Sequence, residues 1–137
     1  MIKGSCLCQK VKFTISGTPN SLSYCHCSRC RKSSGIHAAY LIGDIQDFTL
    51  ESGAEDILHY SPEAPWKSVR SFCRHCGTSI GGLEANSPIY VISASALDTD
   101  PGIQPIAHIY AASKPDWYEI KDDLKQFSED YRADESG

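Results

Sequence analysis

All seven cysteines of this chain fall into three clusters with chelating spacings: Cys6-x-Cys8, Cys25-x-Cys27-x-x-Cys30 and Cys73-x-x-Cys76. Thiolates grouped this way suit a tetrahedral dication, zinc above all. In an extended segment residues two apart share a face, so Cys6 and Cys8, and likewise Cys25 and Cys27, can aim both sulfurs at one ion. A Cys-x-x-Cys bend gathers its sulfurs in a tight turn, and Gly77 after Cys76 supplies permissive backbone. Disulfides fit worse, because cysteines one residue apart bridge poorly and an odd number leaves one unpaired. A redox pair at Cys73 and Cys76 lacks the βαβ setting of thioredoxin-like motifs.

A closed structural zinc takes four protein ligands, whereas a catalytic one commonly takes three and keeps a position for water or substrate. Seven sulfurs therefore divide into one site of each kind. Spacing leaves the pairing open. Cys27 and Cys30 can join Cys73 and Cys76 as an elongated ribbon, leaving Cys6, Cys8 and Cys25 for the second ion. The simpler division keeps Cys25, Cys27 and Cys30 together and closes the other site with Cys6, Cys8, Cys73 and Cys76. Three thiolates blunt the Lewis acidity of zinc, which disfavours a hydrolytic hydroxide. A thiol is the better fourth ligand, since zinc deprotonates it while its sulfur stays nucleophilic. Arg29, Arg31, Lys32 and Arg74 lie near enough in sequence to offset the negative sites, although solvated surface is their plainer role.

Short strands must position these sulfurs. In KVKFTI (10–15), Val11, Phe13 and Ile15 alternate with Lys10, Lys12 and Thr14 before Gly17-Thr18-Pro19-Asn20 breaks the run. Similar runs are LSYC (22–25), AAYLI (38–42), FTLES (48–52), DILHY (56–60), SVRSFC (68–73), IYVISA (89–94) and IAHIY (106–110). Turn-forming clusters separate them, which predicts a mainly β, mainly antiparallel architecture with little helix. One helical turn fits after Cys30 and another within residues 117–127. At 137 residues, 41% hydrophobic and 22% charged, the chain suits one domain able to build its own core without help from metal.

The segments GSCLCQKVKF, YCHCSRCRKSSG, FCRHCGTSI and HIYAASKPDWYEIKDDLKQF, spread over residues 3–127, resemble the glutathione-dependent formaldehyde-activating enzyme family, which also includes centromere protein V-like proteins. The resemblance implies structural zinc at Cys6, Cys8, Cys73 and Cys76, and catalytic zinc at Cys25, Cys27 and Cys30. It implies stacked antiparallel sheets pinned by zinc in a tent-like fold, as a single domain over residues 1–127. It also implies a carbon–sulfur lyase or synthase that adds a small thiol such as glutathione to formaldehyde or a related aldehyde, forming an S-hydroxymethyl thiol. One departure is Gln9, where relatives often carry Gly; it affects a turn and no ligand. The rival reading is a non-catalytic zinc module that binds another protein, in which a further side chain closes the three-sulfur site.

Other side chains have plainer expectations. His26 lies between two cysteines that face the ion, so it points away, and neither it nor His75 is expected to ligate. His37 is expected to be structural, with a proton shuttle beside the triplet as its functional alternative. His59 and His108 should be half-buried and hydrogen-bonded. Tyr40, Trp66 and Trp117 are expected in the core or its rim rather than in a pocket wall. Ser33, Ser34 and Gly35 read as a polar turn, with an anion cradle as the alternative. SEDYRADESG (128–137) reads as a frayed acidic tail. The opening MIKGSCLCQK has no apolar signal core and no run nears the ~18 residues of a membrane span, so a cytoplasmic, unsecreted protein is expected. The net charge of −4, with scattered basic residues, disfavours nucleic-acid partners despite Arg29-Cys30-Arg31-Lys32.

Overall fold

Phe13 and Ile15 point inward while Lys12 faces solvent, and this alternation makes Lys12–Ile15 the half-buried strand β2. In the computed structural model, which describes residues 1–130, β2 lies between β1 (Ile2–Ser5) and β5 (Phe48–Ser52) in a three-stranded antiparallel sheet. The second sheet has eight strands. Its spatial order is β11 (Lys125–Gln126), β10 (Ala107–Ile109), β3 (Ser21–Cys25), β4 (Ala38–Asp44), β9 (Ile89–Ser93), β8 (Ser79–Gly82), β7 (Arg70–Cys73) and β6 (Ile57–Tyr60). Pairing is antiparallel except at β10, which runs parallel to both β3 and β11. The architecture is mainly β, as expected.

Apolar faces of both sheets meet in one core. Ile2, Phe13 and Ile15 from the small sheet pack with Leu41, Ile80, Tyr90 and Ile92 from the large one, each such side chain contributing about 1.5–3 kcal/mol by leaving water. Cys6 and Cys73 belong to this core. A second, smaller cluster joins Cys25, Cys30, Ala38 and Ile109 where β10, β3 and β4 lie side by side. The two sulfur groups are thus rooted in two different packed regions.

The helical expectations need correction. The one α-helix among the described residues, α1 (Ser28–Ser34), begins ahead of Cys30 and contains it. No helix forms within 117–127. There the Asp122 carboxylate accepts the Leu124 N–H at 3.0 Å, a local bond that competes with helix, and the chain turns into β11. The expected tail lies outside the described residues from 131 onward; before that point the Glu129 carbonyl accepts the Tyr110 N–H at 3.0 Å. No helix among the described residues is long and apolar enough to cross a membrane.

Candidate functional site

The Cys6 and Cys8 sulfurs sit on a turn, not on a strand. β1 stops at Ser5, and the Gln9 N–H then donates to the Cys6 carbonyl at 3.0 Å while Gln9 takes a left-handed φ of 70°. Facing this turn is the Cys73–Cys76 bend, closed by the Gly77 N–H on the Cys73 carbonyl at 2.9 Å. Gly77 has φ 76°, a conformation glycine adopts without penalty. Thr78 ties the two turns together: its hydroxyl oxygen accepts the Leu7 N–H at 2.9 Å and lies 3.2 Å from Cys76 Sγ. That hydroxyl and a backbone N–H pull the Cys76 thiol down to about 5.

The ligand atoms of Cys6, Cys8, Cys73 and Cys76 all lie within 4.8 Å of one another. Cys6 and Cys8 are 3.6 Å apart, and Cys8 and Cys73 are 3.8 Å apart. A zinc tetrahedron with ~2.3 Å bonds has edges of about 3.8 Å, whereas a disulfide needs about 2.05 Å. The donor set therefore fits an enclosed zinc. This grouping is the simpler of the two that the spacings left open; the ribbon of Cys27, Cys30, Cys73 and Cys76 does not assemble.

The other sulfurs, Cys25, Cys27 and Cys30, also lie within 4.8 Å of one another, and among the described residues no fourth Cys, His, Asp or Glu joins them. Cys25 ends β3, Cys27 is the N-cap of α1 with its Sγ accepting the Cys30 N–H at 3.1 Å, and Cys30 sits on the helix's buried face. Crowding makes these thiols share a proton budget poorly. Contacts with Cys25 and Cys27 push the Cys30 thiol far down, burial opposes this, and Tyr40 and Arg70 add to it. The contacts with Cys27 and Cys30 push Cys25 far up. Three thiolates at this separation call for a dication, which is the chemistry of a zinc ligand set.

Arg70 and Tyr40, on β7 and β4, complete the setting, and neither was indicated by the cysteine spacing. Arg70 Nη1 donates to Cys30 Sγ at 3.4 Å and to Tyr40 Oη at 2.8 Å, while the Tyr40 hydroxyl is 3.5 Å from the same sulfur. Burial, then the charge on Cys30, pushes the Tyr40 phenol up. Arg70 also lines a cavity of about 370 Å³ together with Arg29, Lys32, Ser33, Tyr60 and Ser79.

Of the cations proposed to offset the thiolates, Arg29 and Lys32 line that cavity, and Arg74 is exposed. Trp66 and Trp117 are 54% and 70% exposed, contrary to the core expectation. Trp66 instead covers the Arg29 guanidinium at 4.5 Å, a cation–π contact that offsets its exposure. Ser33 donates to the Cys30 carbonyl at 3.2 Å and Gly35 caps α1, so 33–35 is a helix end, with Ser33 on the wall of that cavity. His75 pairs with Asp56 at 2.6 Å, and His59, although exposed, is 2.8 Å from Ser71 Oγ. His26 joins His108, and His37 stacks on His26 at 5.0 Å with Tyr118 tilted 5.6 Å from it, a packed setting.

A crystallographically solved Rhodobacter sphaeroides protein is 25% identical, with a TM-score of 0.57 over 75% of this chain and 91% of that one. No curated protein matches the sequence. The family described as glutathione-dependent formaldehyde-activating enzyme matches residues 1–113, both sulfur groups included, and the chain belongs to that family.

Proposed function

We propose that this chain catalyses the reversible addition of a small anionic thiol, of which glutathione is the type, to formaldehyde or a related aldehyde. The observation that supports this best is a three-sulfur group, buried at Cys25 and Cys30 and half-buried at Cys27, with no fourth protein ligand among the described residues, touched by Arg70, which also lines a cation-rich cavity. Its volume of about 370 Å³ suits a small peptide or metabolite. Zinc, when held by Cys25, Cys27 and Cys30, keeps a thiol deprotonated at neutral pH with its sulfur nucleophilic.

The chain's own residues supply the rest. Arg29 and Lys32 attract the carboxylates of the thiol, and Arg70 neutralises charge at Cys30. The reaction forms a sulfur–carbon bond as the carbonyl π pair moves onto oxygen. The thiol proton leaves to solvent and the oxygen takes one from solvent, so nothing is oxidised or reduced. Cys6, Cys8, Cys73 and Cys76 serve as the structural site.

The test is the rate of exchange between formaldehyde and its thiol adduct, followed by NMR with labelled formaldehyde and glutathione. Zinc-loaded protein is expected to exceed the spontaneous rate, and Cys27→Ser to fall to it. No acceleration by the intact protein, with glutathione or with several other small thiols, would sink the reading.

A further inference from the structure

Between two of the sulfurs lies a side chain that the reaction does not use. His26 separates Cys25 from Cys27, points the other way, and is 1% exposed. Its Nε2 is 2.7 Å from Nδ1 of His108, itself 1% exposed on β10. His108 Nε2 in turn lies 2.9 and 3.0 Å from the two carboxylate oxygens of Asp122. The three groups form one chain running from a surface carboxylate to the middle of the ligand segment.

We propose that Asp122, His108 and His26 form a positioning chain that fixes the directions of Cys25 and Cys27, and through them the affinity of the three-sulfur site for a thiophilic dication. A carboxylate only accepts, so it selects the His108 tautomer that donates from Nε2. When His108 is neutral, Nδ1 of that tautomer is bare and accepts, and His26 donates from its own Nε2. The order of donors is set from the surface inward. The His26 backbone N–H is also held, by the Ile109 carbonyl at 3.0 Å, so side chain and main chain of this one residue are both moored to β10. His37 stacks on the ring at 5.0 Å and Tyr118 at 5.8 Å, which blocks rotation.

Cys25 and Cys27 share backbone torsions with His26, and a ring that cannot turn holds both sulfurs in place. Supporting groups one step behind metal ligands typically change affinity 10–100-fold. Here the support passes through the backbone of the intervening residue rather than through a ligand's own ring.

Asp122 offers the cleanest test because its side chain is 45% exposed, so its loss leaves no buried cavity. Cobalt(II) is titrated into the full chain of wild type, Asp122→Ala and Asp122→Asn, with the four-sulfur site filled first, and sulfur-to-cobalt absorption reports each site. Asp122→Ala is expected to weaken the second equivalent about 10–100-fold and shift its ligand-field bands, with the first unchanged. Imidazole nitrogen NMR should show His108 released to both tautomers. Asp122→Asn, whose side-chain oxygen still accepts from His108, should recover wild-type binding and spectrum.

Equal cobalt affinity and spectrum in wild type and Asp122→Ala would overturn the proposal, as would equal loss in both variants, which would assign the effect to charge alone. Wild-type protein that takes no second cobalt would remove the site together with its support. The proposal rests on the three sulfurs binding metal, not on the lyase reading. Inactivity toward every aldehyde with normal cobalt behaviour would refute only the latter.

Discussion

The sharpest prediction separates the two sulfur groups by their reach along the chain. Cys8 and Cys73 are 65 residues apart, whereas the triplet lies within Cys25–Cys30. A metal bridging the first group closes a long loop in any unfolded state that retains it, a constraint of about 4 kcal/mol on the loop-entropy model for a cross-link of that span. The triplet is contiguous and can hold metal in the unfolded chain too, so its binding energy largely cancels between states. The perturbation is Cys8→Ser with Cys76→Ser. Cys8 is exposed and Cys76 half-buried, while the buried Cys6 and Cys73 stay, so the core keeps its packing and only the bridge is lost.

With free zinc buffered at one level for all proteins, the double variant should lose at least about 4 kcal/mol. At a urea slope of about 2 kcal/mol per molar, this lowers the midpoint by about 2 M. Cys27→Ser should lose less, about 1.4–2.7 kcal/mol, the 10–100-fold in metal affinity that only the folded support adds, because serine still caps α1. The midpoint is read by circular dichroism in urea. A double variant within about 0.5 M of wild type, or a Cys27→Ser loss as large as the double variant's, would refute the long-range bridge.

Three further outcomes follow from particular contacts. Gly53 has φ 89°, and an added Cβ would meet the Lys10 carbonyl oxygen at 2.3 Å, so Gly53→Ala should cost about 3 kcal/mol; an unchanged melting temperature would contradict that packing. Lys32→Gln should lower kcat/KM for glutathione about 10–100-fold and for a neutral thiol such as mercaptoethanol much less; equal losses would remove Lys32 from recognition of the thiol's carboxylates. Burial first, then the charge of His108, lowers the His37 pKa against an opposing effect of Asp122, so the unfolded state binds more protons just below the usual ~6.5. Stability should therefore fall as pH drops through that window, with a shallower slope in His37→Asn; a His37 NMR midpoint at or above the usual value would refute this.

The sulfurs were legible in the sequence because chelate spacing is a local property, and alternation marked eight of the strands for the same reason. β1 and β8 escaped notice because Gly4, Gly81 and Gly82 interrupt their apolar pattern, and β11 because two residues carry no period. Strand alternation also gave the wrong reason for Cys6 and Cys8, which converge through a turn closed on Cys6 and not through a shared strand face. Tyr40, Arg70 and Asp122 share no local pattern with the residues they touch, and Thr78 reaches Leu7 across 71 residues. Arg70 meets Tyr40 across a separation of 30, and Asp122 meets His108 across 14. Such partners are chosen by sheet order and loop return, which are global outcomes of folding.

One strand links the two sulfur groups. β7 begins at Arg70, whose guanidinium touches Cys30, and ends at Cys73, a member of the four-sulfur group. Between them Ser71 is buried, and its hydroxyl oxygen accepts the Leu83 N–H at 3.0 Å, at a point where the pairing with β8 shifts register. A strand of four residues whose far end is packed in the four-sulfur group and whose middle is held by a buried hydroxyl leaves its first residue little freedom. Metal in the four-sulfur group would thereby do more than oppose unfolding: it would limit where the Arg70 guanidinium can sit relative to Cys30. A group donating to both a thiolate and a phenol is useful only if it stays within hydrogen-bond range of each. That is a physical reason for one short chain to carry two sulfur groups of unequal closure.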